Sequence, residues 1–143
     1  HLALLFLDLD RFKPINDSFG HAVGDQLLAA IARRIEGAIR ESDTAARIGG
    51  EEFVILLPET QLADAAQHAE RLRKAIAGLR IPVEQSMLSV TVSIGVAALD
   101  TGELSPEPML MRADSGLYRA KQDGRNRVQV TWNAAVGDSR VSR

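Results

Sequence analysis

The feature of this sequence that most restricts its fold is a short hairpin set between two amphipathic helices. Ala45 to Ile48 and Phe53 to Leu57 read as strands joined through Gly49-Gly50-Glu51-Glu52, because paired glycines accept the positive φ of tight hairpins. Upstream, from about His21 to Arg40, Leu27, Leu28, Ile31, Ile35 and Ile39 recur at helical spacing, opposite Arg33, Arg34 and Glu36. Downstream of Pro58, the residues Ala65, Ala66, Ala69, Leu72, Ile76 and Leu79 form one helical stripe over Leu62 to Leu79. Outside this unit lie an apolar strand run, Leu2 to Leu9, and a β-branched one, Leu88 to Leu99. A third helix over Met109 to Lys121 and a short strand over Arg127 to Val130 follow, and Thr131 to Arg143 reads as a polar tail.

The first six elements give the strand, helix, strand, strand, helix, strand order of a ferredoxin-like α+β sheet, a mixed α/β chain with helices flanking a sheet that contains antiparallel pairs. In that topology the first strand runs antiparallel beside the strand leaving the hairpin. Asp8, at the end of the first strand, then meets Glu51 and Glu52 at the start of the other. Composition closes off alternatives. With 143 residues, 45% hydrophobic and 25% charged, the chain suits one globular domain rather than a disordered one. Its formal net charge of −2 supplies no positive field for a nucleic-acid polymer. The absence of cysteine excludes disulfides, thiolate metal sites and a cysteine nucleophile. No apolar run nears the roughly 20 residues of a membrane span, so a soluble domain without direct membrane insertion is expected. The chain opens at His1 inside a strand-like run without an initiator Met, and a fragment of a longer protein is expected.

Asp8, Asp10, Glu51 and Glu52 form an oxygen-only set that repels itself unless a hard cation neutralises it, and Mg²⁺ is the natural occupant. Taken singly, they equally suit a strand end and a solvated turn. Residues 10–24 read as a connector between strand and helix, carrying Lys13, Asn16, Asp17, Gly20 and Gly24. It is either a phosphate cradle or a capped, glycine-bearing loop. Lys121 and Arg125, where the last helix ends, either complement the helix dipole or reach a polyphosphate. Arg40 and Asp43, three apart, make either a local ion pair or a guanine-reading fork. His1, His21 and His68 lack metal-like spacing, and His21 suits the opening of a helix. Met109, Leu110 and Met111 suit core or helix-start packing. No serine, histidine and aspartate order supports acyl transfer.

The segment Arg47-Ile48-Gly49-Gly50-Glu51-Glu52-Phe53 resembles the signature of the GGDEF family of diguanylate cyclases in its GGEEF form. Other blocks agree in order: Asp8-Leu9-Asp10-Arg11-Phe12-Lys13-Pro14-Ile15-Asn16-Asp17, Phe19-Gly20-His21, Gly24-Asp25, Val92 to Ala97, Ala113-Asp114, Leu117-Tyr118, Ala120-Lys121 and Gly124-Arg125-Asn126. The resemblance runs from about Leu4 to Val130 and sets a domain over 1–130 with a tail over 131–143. Two departures stand out. The family's opening DxLTGLxNR-like block and its helix do not precede His1, and Gly116 stands where alanine is common.

The resemblance implies a palm-like, nucleotide-cyclase-like nucleotidyltransferase that condenses two GTP into cyclic di-GMP, a bacterial second messenger, with release of pyrophosphate. Asp8, the Leu9 carbonyl and Glu51 would hold Mg²⁺ or Mn²⁺, with Glu52 as a second metal ligand or as base for the 3′-hydroxyl. Asn16 and Asp25 would recognise guanine, backbone amides near Phe12 and Lys13 would cradle phosphates, and Lys121 and Arg125 would hold the terminal ones. Arg40 and Asp43 match the family's RxxD product-inhibition site, with Arg71 assisting from the second helix. Two identical linkages call for a twofold homodimer, driven by an upstream sensory or receiver domain. A cytoplasmic domain, in a full-length protein open to membrane anchoring, is the corresponding location. The alternative is a catalytically idle module that binds GTP or cyclic di-GMP. A single-site nucleotide cyclase or a palm-like polymerase is more remote, since nothing in the charge suits a template.

Overall fold

The protein's structure, a computed structural model, describes residues 1–132. β1 (Leu2–Leu9) leads into α1 (Phe12–Phe19) and α2 (His21–Ala38), and the hairpin of β2 (Thr44–Arg47) and β3 (Glu52–Pro58) follows. Next come α3 (Leu62–Ala77), a small hairpin of β4 (Ile81–Val83) and β5 (Ser86–Leu88), β6 (Val92–Ala98), α4 (Glu107–Gln122) and β7 (Val128–Val130). The main sheet has the order β2-β3-β1-β6-β7, antiparallel except for the parallel β6 and β7 pair. The ferredoxin-like arrangement expected from element order is the one observed.

β1 is central because its run is apolar on both faces, which suits a strand covered from both sides. Leu5, Leu7 and Leu9 join Phe53, Ile55 and Leu57 in the larger core, under Leu27, Ile31 and Ile35 of α2 and Leu72 and Ile76 of α3. Leu4 and Phe6 face the other way, into a smaller core with Met109, Ala113 and Leu117 of α4. Leu5 is fully buried, and its truncation to alanine costs about 2–5 kcal/mol. The register pairs Asp8 with Glu52 across β1 and β3, and with Ser93 across β1 and β6. Directly opposed residues share a sheet face.

Four expectations change. The connector over residues 10–24 contains α1: Phe12, Ile15 and Phe19 form a short apolar stripe, and Pro14 falls in the first turn, where no N–H is needed. The long strand read from Leu88 begins only at Val92. The preceding chain doubles back as β4 and β5, with Val83 opposite Ser86 and Glu84 at φ 51° in the turn. Met109 is buried, but Leu110 and Met111 face solvent, because only one stripe of α4 meets the sheet. Neither Gly49 nor Gly50 takes a left-handed φ. A Cβ on Gly49 would lie 2.6 Å from Glu52 Oε1, so this glycine makes room for a carboxylate rather than for a backbone twist.

Gly116 also has a packing reason. Added Cβ atoms would put Gly95 into the α4 backbone at Ala113 and Leu117, and Gly116 2.8 Å from the Gln129 carbonyl oxygen. Two glycines thus let α4 lie flush on β6 and β7. Of the expected tail, residues 133–143 fall outside the described residues.

Candidate active site

The site lies where β1, the turn before β3, the start of α1 and the end of α4 come together. Asp8, Leu9, Asp10, Arg11, Phe12, Lys13, Pro14, Glu51, Lys121 and Arg125 line one cavity of about 170 Å³. The β1 and β3 pairing brings Glu51 to Asp8, and the end of α4 adds Lys121, 113 positions from Asp8. Glu52 stands opposite Asp8 on the same sheet face. The Leu9 N–H donates to the Glu51 carbonyl oxygen at 3.2 Å, tying the turn to the end of β1.

Asp8 is buried and accepts a hydrogen bond from Lys121 Nζ at 2.6 Å. Burial, the first cause, and the negative charge of Asp8 raise the Glu51 carboxyl above its ordinary value, and Lys121 offsets this only in part. Two carboxylates sharing one ammonium leave negative charge unneutralised. That imbalance and the all-oxygen donors fit a hard divalent cation. Among the described residues, no three His, Cys, Asp or Glu side chains already converge as a ready-made metal site. The fit rests on Asp8, Glu51 and the adjoining Leu9.

Asp10 behaves differently from Asp8. Its carboxylate accepts hydrogen bonds from Thr91 Oγ1 at 2.6 Å, Ser93 Oγ at 2.7 Å and the Asn126 N–H at 2.9 Å. A carboxylate so supplied with donors needs no cation, so Asp10 leaves the metal set.

At the start of α1, no side chain caps the helix, Arg11 adopts φ 56°, and the amides of Phe12 and Lys13 are in the first turn. Uncapped first-turn amides suit an anion. Lys13 itself pairs with Asp17 at 3.1 Å in solvent. Asn16 is half-buried, and its Oδ1 is enclosed without a partner among the described residues. A Cβ on Gly24 would overlap that carboxamide. Next to Gly24, Asp25 lies at a separate cavity of about 370 Å³ that Leu28, Ala32, Ile35 and Phe53 also line.

Arg40 and Asp43 realise the local ion pair. Arg40 Nη2 donates to Asp43 Oδ1 at 2.7 Å, to the Pro58 carbonyl oxygen at 2.9 Å and to Thr60 Oγ1 at 3.0 Å. Burial favours the protonated Asp43, but the Arg40 hydrogen bonds outweigh it and hold this carboxyl below its ordinary value. The pair sits at the far end of β3 from Glu52, about 20 Å along the strand. Arg71 is exposed on α3, with no hydrogen bond or ion pair to either residue among the described residues. His21 is the exposed first residue of α2, and His68 contacts the Ala38 carbonyl oxygen at 3.0 Å.

A family model described as diguanylate cyclase, GGDEF domain, matches residues 1–127. The chain belongs to the GGDEF family. Among relatives of this GGDEF domain, the response regulator PleD of Caulobacter vibrioides is 46% identical over 129 residues, covering 89% of this chain and 28% of PleD. Diguanylate cyclase A of Treponema denticola is 43% identical over 132 residues, covering 92% of this chain and 36% of that protein. The chain thus spans about a third of the length of these relatives. In three dimensions it is similar to the GGDEF domain of DgcB from Caulobacter crescentus, solved in complex with c-di-GMP. The TM-score is 0.85 at 35% identity, covering 90% of this chain and 77% of that one.

Proposed function

We propose that this domain, residues 1–130 with 131–143 as an appended tail, is a diguanylate cyclase: two GTP give cyclic di-GMP and two pyrophosphates. The observation that carries this reading is the single cavity shared by Asp8, Glu51, Lys121 and Arg125, in a chain of the GGDEF family. Each 3′-hydroxyl attacks the α-phosphorus of the facing GTP, its proton leaves, and the bond to pyrophosphate breaks.

Asp8, the Leu9 carbonyl and Glu51 would hold Mg²⁺ or Mn²⁺, which when bound neutralises triphosphate charge and activates the attacking hydroxyl. Glu52, opposite Asp8, serves as a second metal ligand or as the base that takes the hydroxyl proton. Lys121 and Arg125 hold the terminal phosphates, and the amides of Phe12 and Lys13 cradle the others. Asn16 and Asp25 read guanine. Because each domain supplies one GTP, two copies must face each other, brought together by an upstream sensory or receiver region. We place the domain in the cytoplasm, where GTP is available, whether or not the full-length protein is membrane-anchored. Arg40 and Asp43, with Arg71, bind cyclic di-GMP as a feedback inhibitor. Their distance from Glu52 separates inhibition from chemistry.

The test is to incubate the dimerised domain with GTP and Mg²⁺ and separate the products by chromatography. Cyclic di-GMP is expected from the parent protein and not from Glu52→Gln, whose melting temperature stays close to the parent's. Tight nucleotide binding without turnover would identify a GTP or cyclic di-GMP receptor instead. Arg40→Ala should relieve product inhibition without raising the GTP requirement, and undiminished inhibition would remove Arg40 from that role.

A further inference from the structure

The loop presenting Arg125 is held in an unusual conformation. Gly124, Arg125 and Asn126 have consecutive φ values of 122°, 64° and 47°, a region that L side chains rarely adopt and that persists only where the surroundings enforce it. Two buried or half-buried groups from elsewhere in the chain do so. From below, the Asp10 carboxylate, fixed by Thr91 and Ser93, accepts the Asn126 N–H at 2.9 Å. From the side, Arg73 Nη1 on α3 donates to Asn126 Oδ1 at 2.8 Å. Arg73 is itself locked, because its Nε and Nη2 each reach Glu70 at 2.7 Å, and its side chain is only 16% exposed.

We propose that Arg73 and Asp10 are positioning residues for the phosphate end of a nucleoside triphosphate. They grip Asn126 through its side chain and its main chain, and so hold Arg125 over the cavity that Asp8 and Lys121 line. The inference rests on the reading of Arg125 as a contact to the terminal phosphates. A guanidinium engaged with a carboxylate through one edge and an amide oxygen through the other is planar and cannot drift without breaking both contacts. Without that brace Arg125 keeps only its own main-chain bonds, from its N–H to the Ala120 carbonyl oxygen at 2.9 Å and from Arg127 Nε to its carbonyl oxygen at 3.1 Å, and its side chain loses its fixed direction. α3 then serves the substrate site, although none of its residues lines the cavity.

The experiment compares binding of α,β-methylene GTP and of GMP, each with Mg²⁺, by calorimetry on the full chain. Arg73→Met should weaken the triphosphate analogue by about five- to tenfold, as expected for one misdirected charge-assisted contact, and GMP less than twofold. Asn126→Gly keeps the backbone conformation and removes Oδ1. It should do the same, and adding Arg73→Met to it should cause no further loss. Arg73→Lys, unable to hold Glu70 and Asn126 together, should not rescue. Equal weakening of both ligands would assign Arg73 to general packing and overturn the proposal, as would unchanged triphosphate binding in Arg73→Met and Asn126→Gly. Arg125→Ala separates the premise from the inference. If it leaves triphosphate preference intact, the phosphate reading of Arg125 fails; if it removes the preference while Arg73→Met does not, only the bracing fails.

Discussion

α4 carries an ionic cluster at each end, and the two are built to opposite rules. In its first half, Arg112 donates to Glu103 Oε2 at 2.9 Å and Oε1 at 2.8 Å and to the Ala98 carbonyl oxygen at 2.6 Å. The Asp100 N–H adds another bond to Glu103 at 2.8 Å. The Arg112 hydrogen bonds are the main reason the Glu103 carboxyl falls to about 2, against the opposing effect of burial. Only 13% of each side chain is exposed, and the cluster fastens the loop before α4 to the helix. At the other end, Lys121 faces both Asp8 and Glu51, and Glu51 is raised rather than lowered. One end uses charge to hold the chain. Both ends set two carboxylates against one cation, since Arg112 also lies 3.6 Å from Asp100, but at the Lys121 end a carboxyl is pushed up rather than down, as suits the cation site proposed above.

The largest expected effect tests that division directly. Asp8→Asn and Lys121→Met should each lower cyclic di-GMP synthesis on the order of 100-fold or more, and Asp8→Asn, which also relieves the repulsion with Glu51, should barely move the melting temperature. Arg112→Met should do the reverse. It should cost about 2 kcal/mol, between the values for exposed and fully buried pairs, with kcat within about twofold of the parent's below its melting temperature. Equal stability losses at the two ends, measured by denaturant unfolding, would abolish the contrast.

Acidity sharpens it further. A raised carboxyl such as Glu51 makes the fold lose stability as pH climbs from the ordinary carboxylate value, about 4, through its raised value. Glu51→Gln should therefore melt higher than the parent at pH 7 and together with it near pH 3. Glu103 has the opposite sign. Its contribution is present above the ordinary value and is lost as pH falls through about 2, so Glu103→Gln should melt lower at pH 7 and converge with the parent only in strong acid. Melting curves across that range check both. The smallest catalytic effect concerns guanine. Gly24→Ala would displace the enclosed Asn16 carboxamide and crowd the buried Phe12 ring, so it should raise the KM for GTP several-fold and cost about 1–3 kcal/mol of stability. An unchanged KM would detach Asn16 from base recognition.

The meeting of Asp8 with the Glu51-Glu52 turn was legible because an apolar β1 and a hairpin between two helices leave few other pairings. The blocks around Asn16 and Lys121 were legible through family resemblance, not through spacing. α1 was hidden because Asn16, Asp17 and Ser18 are weak helix formers and its stripe has only three apolar positions. The separate fates of Asp8 and Asp10 could not be read either. They depend on which face Thr91 and Ser93 present, and that is a property of register. Arg73 was invisible for a simpler reason: its partner Asn126 is 53 residues away, and nothing local marks it.

Asp8 and Leu9 close a strand that is hydrogen-bonded along both edges and covered on both faces. Such a strand is among the last to release its amides to deuterium, since it opens only with the whole domain. Asp8 and Leu9 therefore cannot come away from the site by local fraying. In the cyclase reading proposed above, regulation then acts on the rim formed by the glycine turn and the 124–126 loop, or on how two copies approach.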